Sequence, residues 1–436
     1  MNFTENLEKN VAALKKTLNS DDVKYKEIKI GEKKGCIIFV ADLTDKTAVG
    51  ELIIRPAANL SGAPTEQTLS EIFFSPETEK EYSIDKTAEK IVGGSSALLC
   101  DGVGSALLFG LKKFDKRAIA EPPTSTVIKG PREGFVESLS VNVSLMRRKL
   151  VSHELRFRYL SVGEFSSTKI ALCYIDGIAD KGLIKSLTEK IKKAKIDAVL
   201  DSSYVSKFLG EHKASLFKQI GNTEKPDVLA AKILEGRVAV LVDGSPIALT
   251  VPYLLIEDFQ SPGDYYNSSY SATVARILRL LAVIISVYLP ALYVSAQLFH
   301  LQFIPLSFLL TIVNSIKGIP LSPSFEMFFT LLVFEILNEA SVRMPKYVGM
   351  VVSIVGGLVL GETAVNAGII SAPALMIIAL SGICLYTVPE LEQTFSILRL
   401  LFLIIGGSFG AFGIIVASGV LLTYLVSFEN YRTPLL

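Results

Sequence analysis

Three runs of this chain, Leu280–Ile316, Thr363–Pro389 and Leu400–Phe428, contain no Asp, Glu, Lys or Arg. A helix needs only about 20 apolar residues to cross the hydrocarbon of a bilayer, so several crossings fit into the part of the chain that holds these runs. The preceding part differs. From Met1 to about Tyr270 charges are dense and apolar runs short, as in a water-soluble domain. The mean hydropathy of +0.44 averages over these two unlike regions.

Candidate membrane segments are Ile277–Phe299, the short Leu301–Ile316 with its Pro305, Phe325–Val342, Tyr347–Gly361, Pro373–Pro389 and Leu400–Phe428. Several are short or interrupted by Gly and Pro, which suits half-helices or tilted segments; roughly four to six crossings fit. Arg276 and Arg279 precede the first span, so the positive-inside rule places the N-terminal region in the cytoplasm. The start, MNFTENLEKNVAALKK, lacks the apolar core of a signal peptide. A formal net charge of +1 argues against a general nucleic-acid binder. Cys36, Cys100, Cys173 and Cys384 lie far apart in apolar runs and read as reduced core residues. Trp is absent, leaving Tyr288, Tyr293, Tyr347 and Tyr386 for an interfacial belt.

The soluble region reads as a duplication. Cys36–Lys46 (CIIFVADLTDK) aligns without gaps to Ala171–Lys181 (ALCYIDGIADK), each an apolar strand, a polar turn and Asp-Lys before a helix. Ala97–Gly110 and Val238–Val251 are each two apolar runs around Asp-Gly, a hairpin signal because Gly accepts positive φ. Both echoes recur about 140 residues apart, which predicts two similar α/β units and not a short-repeat solenoid. The proline- and glycine-rich stretch Ala120–Gly134 reads as a linker or loop. Helical spacing continues from Phe135 to Leu150, ending in Arg147-Arg148-Lys149, as suits a helix C-terminus. The expected layout is subdomain 1 at 1–130, subdomain 2 at 131–256, a hinge at 257–276, an all-α polytopic membrane domain at 277–428 and a short tail at 429–436.

One apolar segment carries charges. In FEMFFTLLVFEILNEASVRMP (Phe325–Pro345), Ser322 and Pro323 form a helix start, and the helix dipole accounts for Glu326 in the first turn. Glu335, Glu339 and Arg343 then spread over only about 80° of one face, with Asn338 alongside. Facing lipid, each charge costs about 2.5–3.5 kcal/mol at the bilayer centre, so this face requires water or protein. Glu339 and Arg343 can pair at i, i+4 spacing, while Glu335 points to an aqueous pathway or a subunit interface. Glu362 and Asn366 form a second polar pair, marking an interfacial break or another polar lining. Gly357 with Gly361, and Gly406 with Gly410, give GxxxG spacing, a helix-packing signal.

Enzyme signatures fail. Gly406–Gly410 formally matches GxSxG but lies in an apolar run without strand-turn-helix context. Gly102-Val103-Gly104 lacks the third glycine of a dinucleotide fingerprint. His153, His212 and His300 have no metal-ligand spacing. No catalytic residue, metal site or cofactor is predicted.

Several stretches resemble the A subunit of GerA-type spore germinant receptors, within the GerA/SpoVAF family of spore germination proteins: Gly130–Leu150, Ile233–Pro252, FQSPGDYY (Phe259–Tyr266), FEILNEASVRMP (Phe334–Pro345) and VGGLVLGETAVNAG (Val355–Gly368). The resemblance implies a multi-pass protein of the bacterial spore inner membrane, working with B and C subunits in nutrient signal transduction. It also implies self-association into a homo-oligomer that conducts monovalent cations, with Glu335, Asn338, Glu339 and Arg343 in the polar membrane block. Many members continue into a basic tail, where this sequence reads SFENYRTPLL. Two other readings stay open: a secondary transporter with its site around Glu362 and Asn366, and an accessory SpoVAF-like scaffold.

Overall fold

Strand β2 (Lys33–Val40) is apolar in a nearly unbroken run because it is covered on both faces. Residues 36, 38 and 40 pack on one side, and residues 37 and 39 on the other. A strand with one wet face would alternate instead. The computed structural model, which describes residues 1–60, 62, 64–73, 77–113, 129–212, 214–344 and 361–436, builds two such sheets. Strands β1 (Val23–Ile30), β2, β3 (Thr78–Glu81), β4 (Ser96–Cys100) and β5 (Ala106–Phe109) lie in the order β1-β2-β4-β5-β3, all antiparallel. Strands β6 (Leu155–Val162), β7 (Thr168–Ile175), β8 (Gly221–Thr223), β9 (Val238–Val242) and β10 (Ala248–Val251) repeat it as β6-β7-β9-β10-β8.

The duplication extends to helices and to single hydrogen bonds. Helices α1 (Leu7–Thr17) and α2 (Ile84–Val92) bury Leu7, Leu14, Ala88 and Ile91 against the first sheet. On the second sheet α3 (Leu139–Lys149) and α5 (Pro226–Leu234) bury Val143, Met146, Leu229 and Ile233, with α4 (Lys181–Lys193) following β7. The Asp of each Asp-Gly hairpin has a second task. Asp101 Oδ1 accepts the Leu7 N–H at 3.2 Å, and Asp243 Oδ1 accepts the Leu139 N–H at 3.0 Å. Each satisfies an orphan donor at a helix start, while Gly102 and Gly244 take the positive φ of the turn. Asn10 exchanges two hydrogen bonds with the backbone of Thr4, and Asn142 does the same with Val136. That clamp starts α3 at Leu139 and leaves Phe135, expected in the helix, packed in the core ahead of it. The repeated Asp-Lys is also explained: Asp45 and Asp180 cap the helices that begin at Lys46 and Lys181.

These elements form one compact unit, Met1–Ala214 with Lys218–Tyr253; Ser215–Phe217 with Leu254–Leu436 form another. The second unit is helical: α6 (Ser269–Phe299), α7 (Leu306–Ile316), α8 (Pro323–Arg343), α9 (Gly361–Asn366), α10 (Ala372–Leu385) and α11 (Glu392–Ser427). A two-strand hairpin, Glu429–Asn430 with Thr433–Pro434, ends it where a plain tail was expected. Against roughly four to six expected crossings, two helices among the described residues have the length and apolarity to cross a bilayer, 269–299 and 389–427. Helices α7 and α10 are apolar but shorter. The expected segment Tyr347–Gly361, Tyr347 itself and most of the linker Ala120–Gly134 lie outside the described residues, which exclude 345–360 and 114–128. The four cysteines are free, three of them buried; burial pushes the Cys36 thiol up to about 11, as suits an inert core residue.

Asp243→Ala strips the bond from the first turn of α3 and is expected to cost about 1 kcal/mol, the usual size of a lost cap. A denaturant melt of the protein, with Asp101→Ala as the matched variant, checks both halves of the repeat.

Candidate functional site

The helical unit is organised where α6 and α11 cross. A Cβ added at Gly406 would stand 2.8 Å from the Ala291 carbonyl oxygen, so only glycine permits this approach of backbones. Gly410 plays a different part from its GxxxG partner. It has φ 64° and ψ −153°, outside any helix, and breaks α11 into two segments. Of the other expected pair, Gly361 packs with its Cα side toward Leu375, and Gly357 lies outside the described residues.

The charged face of α8 meets this crossing. Glu335 accepts hydrogen bonds from Arg399 Nη2 and, at 2.5 Å, from the Ser396 hydroxyl, both on α11. Arg399 is fully buried, whereas 31% of the Glu335 side chain is exposed. Arg399 Nη1 also donates to Ser381 of α10 at 3.0 Å, and the Ser381 hydroxyl in turn donates to the Ser286 carbonyl of α6. The guanidinium lies over the Phe334 ring, 5.6 Å from its centroid, a cation–π contact strengthened by desolvation. Phe334 fits a notch made by Gly382, where a Cβ would be 2.2 Å from the ring. Four helices thus converge on one buried guanidinium.

The remaining predicted residues are placed differently. Asn338 Nδ2 donates to Glu392 Oε1 at 2.7 Å. Arg343 pairs with Glu339, Nε to Oε1 at 2.6 Å, with side chains 79% and 62% exposed. An exposed i, i+4 pair in water is worth about 0.3–0.5 kcal/mol, so it does not fix α8. Glu362 and Asn366 are exposed on the six-residue α9. The structure therefore joins Glu335 and Asn338 to α11 and leaves Glu339, Arg343, Glu362 and Asn366 at the surface of the described unit. Sequence reading missed Arg399. Its signal was its position, one residue before the charge-free run that begins at Leu400.

Ahead of α6, Asp264 is held by Arg279 through two bonds of 2.6 and 2.8 Å, by Arg276 at 3.4 Å, and by the Ser261 N–H at 3.0 Å. Burial works to raise its pKa, but the Arg279 guanidinium and the backbone donor outweigh it and hold the carboxyl below its usual range. The two arginines that set the predicted orientation thus also clamp the entrance to α6.

Within the first unit, the two subdomains meet at a buried ion pair that the sequence did not announce. Arg147, read only as the basic end of α3, makes bonds of 2.8 and 2.9 Å to the two oxygens of Asp22. Neither side chain is more than 1% exposed. Ser20 donates to Asp22 and accepts from the Phe157 N–H, and Arg156 reaches the Thr17 carbonyl at 2.8 Å. A cleft of ≈ 620 Å³ opens at this boundary, lined by Asp22, Lys24, Asp42, Tyr159, Lys169 and Asp243. Burial pushes the Asp42 carboxyl up, against the hydrogen bond donated by Tyr159. Among the described residues no group of three His, Cys, Asp or Glu side chains is placed to hold a metal.

Residues 12–436 match the family described as Bacillus/Clostridium GerA spore germination protein. The chain is 35% identical over 442 residues to spore germination protein KA of Bacillus subtilis (strain 168), an overlap of 99% of this chain and 81% of that protein. It is 33% identical to spore germination protein GerLA of Bacillus cereus, over 92% of this chain and 83% of the relative. A crystal structure of the N-terminal domain of the A subunit of the Bacillus megaterium spore germinant receptor GerK3 superposes with a TM-score of 0.47 at 25% identity, covering 58% of this chain and 98% of that one.

Arg147→Met leaves Asp22 buried without a counter-charge and is expected to destabilise the first unit by about 3–5 kcal/mol; adding Asp22→Leu should recover most of that loss. A double-mutant cycle in chemical denaturation reads it. For Asp264 the sign follows from its lowered pKa: its contribution is whole above the ordinary Asp value of about 3.9 and is lost as pH falls through the folded value. As pH falls below about 4, wild type should therefore lose more stability than Asp264→Asn, measured by thermal melts across pH.

Proposed function

This chain belongs to the GerA family of Bacillus/Clostridium spore germination proteins, and from that premise we propose that it is the A-type subunit of a nutrient germinant receptor. In this reading it resides in the spore inner membrane with its two α/β subdomains in the cytoplasm, works with B and C subunits, and self-associates into a gated pathway for monovalent cations. It is non-enzymatic. Support for the membrane comes from the helical unit's surface, where Phe303, Phe409, Phe412, Ile415 and Val420 are all exposed, as lipid-facing residues are and soluble ones rarely are in such number.

The observation that carries the pathway is the charge distribution along α8. Glu335 is tied inward to Arg399, while Glu339 and Arg343, one and two turns on, remain exposed in a single copy. Charged groups at membrane depth need water or protein around them, and a shared axis between copies supplies it. Carboxylates around such an axis attract cations and replace part of their hydration. The Glu335–Arg399 pair then acts as the anchor of the lining helix, and Glu339 as the exposed acid. The transporter reading has less support: Glu362 and Asn366 are both exposed on the described part of α9.

Conductance of the reconstituted oligomer tests this. Glu339→Gln is expected to lower cation-over-anion selectivity several-fold, and Glu335→Gln to alter gating by freeing Arg399. Unchanged selectivity and gating in both variants would remove α8 from the pathway.

A further inference from the structure

Glu326 lies nine residues before Glu335 on the same helix and is 1% exposed, yet no Lys or Arg pairs with it among the described residues. Its Oε1 accepts the backbone N–H of Ser371, the N-cap of α10, at 2.5 Å. The nearby Thr330 hydroxyl turns away, donating to the Glu326 carbonyl at 2.7 Å. Across from it, α6 presents Tyr293 and Gln297 one turn apart. The Tyr293 phenol, on a side chain more than nine-tenths buried, makes no hydrogen bond of ordinary length and angle, although Gln297 and Ser371 stand close to it, and neither do the two buried amide atoms of Gln297. Glu326, Gln297 and Ser371 are the groups the phenol faces. Around them lie Ile312, Met327, Ile370 and Ala374, an apolar shell.

Such a cluster is costly as it stands. Each buried polar atom without a partner costs about 1–3 kcal/mol, and an ionised carboxylate in hydrocarbon costs several more unless a positive charge joins it. Glu335 receives its positive charge from Arg399; Glu326 receives none from the chain. What surrounds it is a set of neutral oxygens: phenol, amide and hydroxyl. Hard oxygen donors suit alkali and alkaline-earth ions. A single carboxylate suits an ion of charge one, since calcium sites gather several carboxylates among 6–8 oxygens and magnesium demands a strict octahedron with retained water.

We propose that Glu326, with Tyr293, Gln297 and Ser371, forms a binding site for one largely dehydrated alkali-metal cation, Na⁺ or K⁺, inside a single copy of the helical unit. The site joins α6, α8 and α10 through one ion. It is separate from the exposed face of α8 and stands whether or not that face lines a pathway.

The test is cation-dependent stability of the full-length protein in lipid nanodiscs, with NaCl or KCl exchanged for N-methyl-D-glucamine chloride at constant ionic strength. The expected result is a saturable rise in Tm of a few degrees with Na⁺ or K⁺, since a ligand bound only by the folded state stabilises it, and loss of that rise in Glu326→Gln. Tyr293→Phe keeps the ring and removes one oxygen; it should weaken the apparent cation affinity about tenfold, roughly the loss of one such ligand contact, and serves if Glu326→Gln does not fold. Equal Tm values in all three salts, a cation response retained in Glu326→Gln, or an unchanged affinity in Tyr293→Phe would each overturn the site. So would stabilisation by acid alone without any alkali response. A binding readout separates this from the pathway: loss of conductance with an intact Tm response leaves the site standing.

Discussion

Three arginine–carboxylate pairs hold parts of this chain in register, two of them with a fully buried arginine and across long stretches of sequence. Asp22 and Arg147 are 125 residues apart, Glu335 and Arg399 are 64 apart, and Asp264 is clasped by Arg279 at the mouth of α6. Removing such charges from water costs several kcal/mol each, and the mutual attraction compensates only when geometry is close and the remaining donors are used. A guanidinium can approach that condition because it offers five donors in a plane. Arg147 uses its nitrogens on Asp22, Ser20 and the Ser152 carbonyl; Arg399 bonds Ser381 and Glu335 through its two Nη atoms, while its buried Nε has no hydrogen-bond partner. These pairs therefore act less as a gain in stability than as a specification. Any packing that separates the partners strands a charge.

How much of this could be read from sequence follows from the distance over which each signal acts. Strand-turn-helix units were legible because CIIFVADLTDK and ALCYIDGIADK carry their strand, turn and cap within eleven residues. The Asp-Gly hairpins were legible for the same reason, but only half of their meaning was local. That Asp101 and Asp243 also satisfy the first turns of α1 and α3 depends on contacts 94 and 104 residues away. Nothing in VNVSLMRRKL singles out Arg147 from Arg148, yet one is buried against Asp22 and the other reaches Glu133 at the surface. A one-dimensional pattern cannot show which of two adjacent basic residues turns inward.

The helical unit shows the same limit in another form. Four-residue spacing marks the polar face of α8, which must meet water or protein; for Glu335 part of that need is met in the same chain, by Arg399 just outside an apolar run. The glycine spacing at Gly406 and Gly410 was legible as packing, and at Gly406 it is packing against Ala291. At Gly410 the same letter carries a backbone turn that only glycine adopts at low cost. Phe299 fills the space a side chain would need, its Cδ2 3.0 Å from the position of an added Cβ.

The two linkages of α11 then differ in what it costs to disturb them. Its first segment, from Glu392 to Gly410, holds Ser396 and Arg399 against Glu335, and parting that pair leaves a fully buried guanidinium without its counter-charge, a loss of about 3–5 kcal/mol. The segment beyond Gly410 carries Phe412, Ile415, Val416, Val420 and Val426 on its exposed surface. Contacts made by apolar surface of that kind are non-directional and are replaced by equivalent ones after a small rotation. With a non-helical residue already at the junction, the helix ladder is interrupted there before any movement begins. The ion pair is thus the stiff end of α11 and Gly410 the compliant joint, a division set by where the chain placed one arginine and one glycine eleven residues apart.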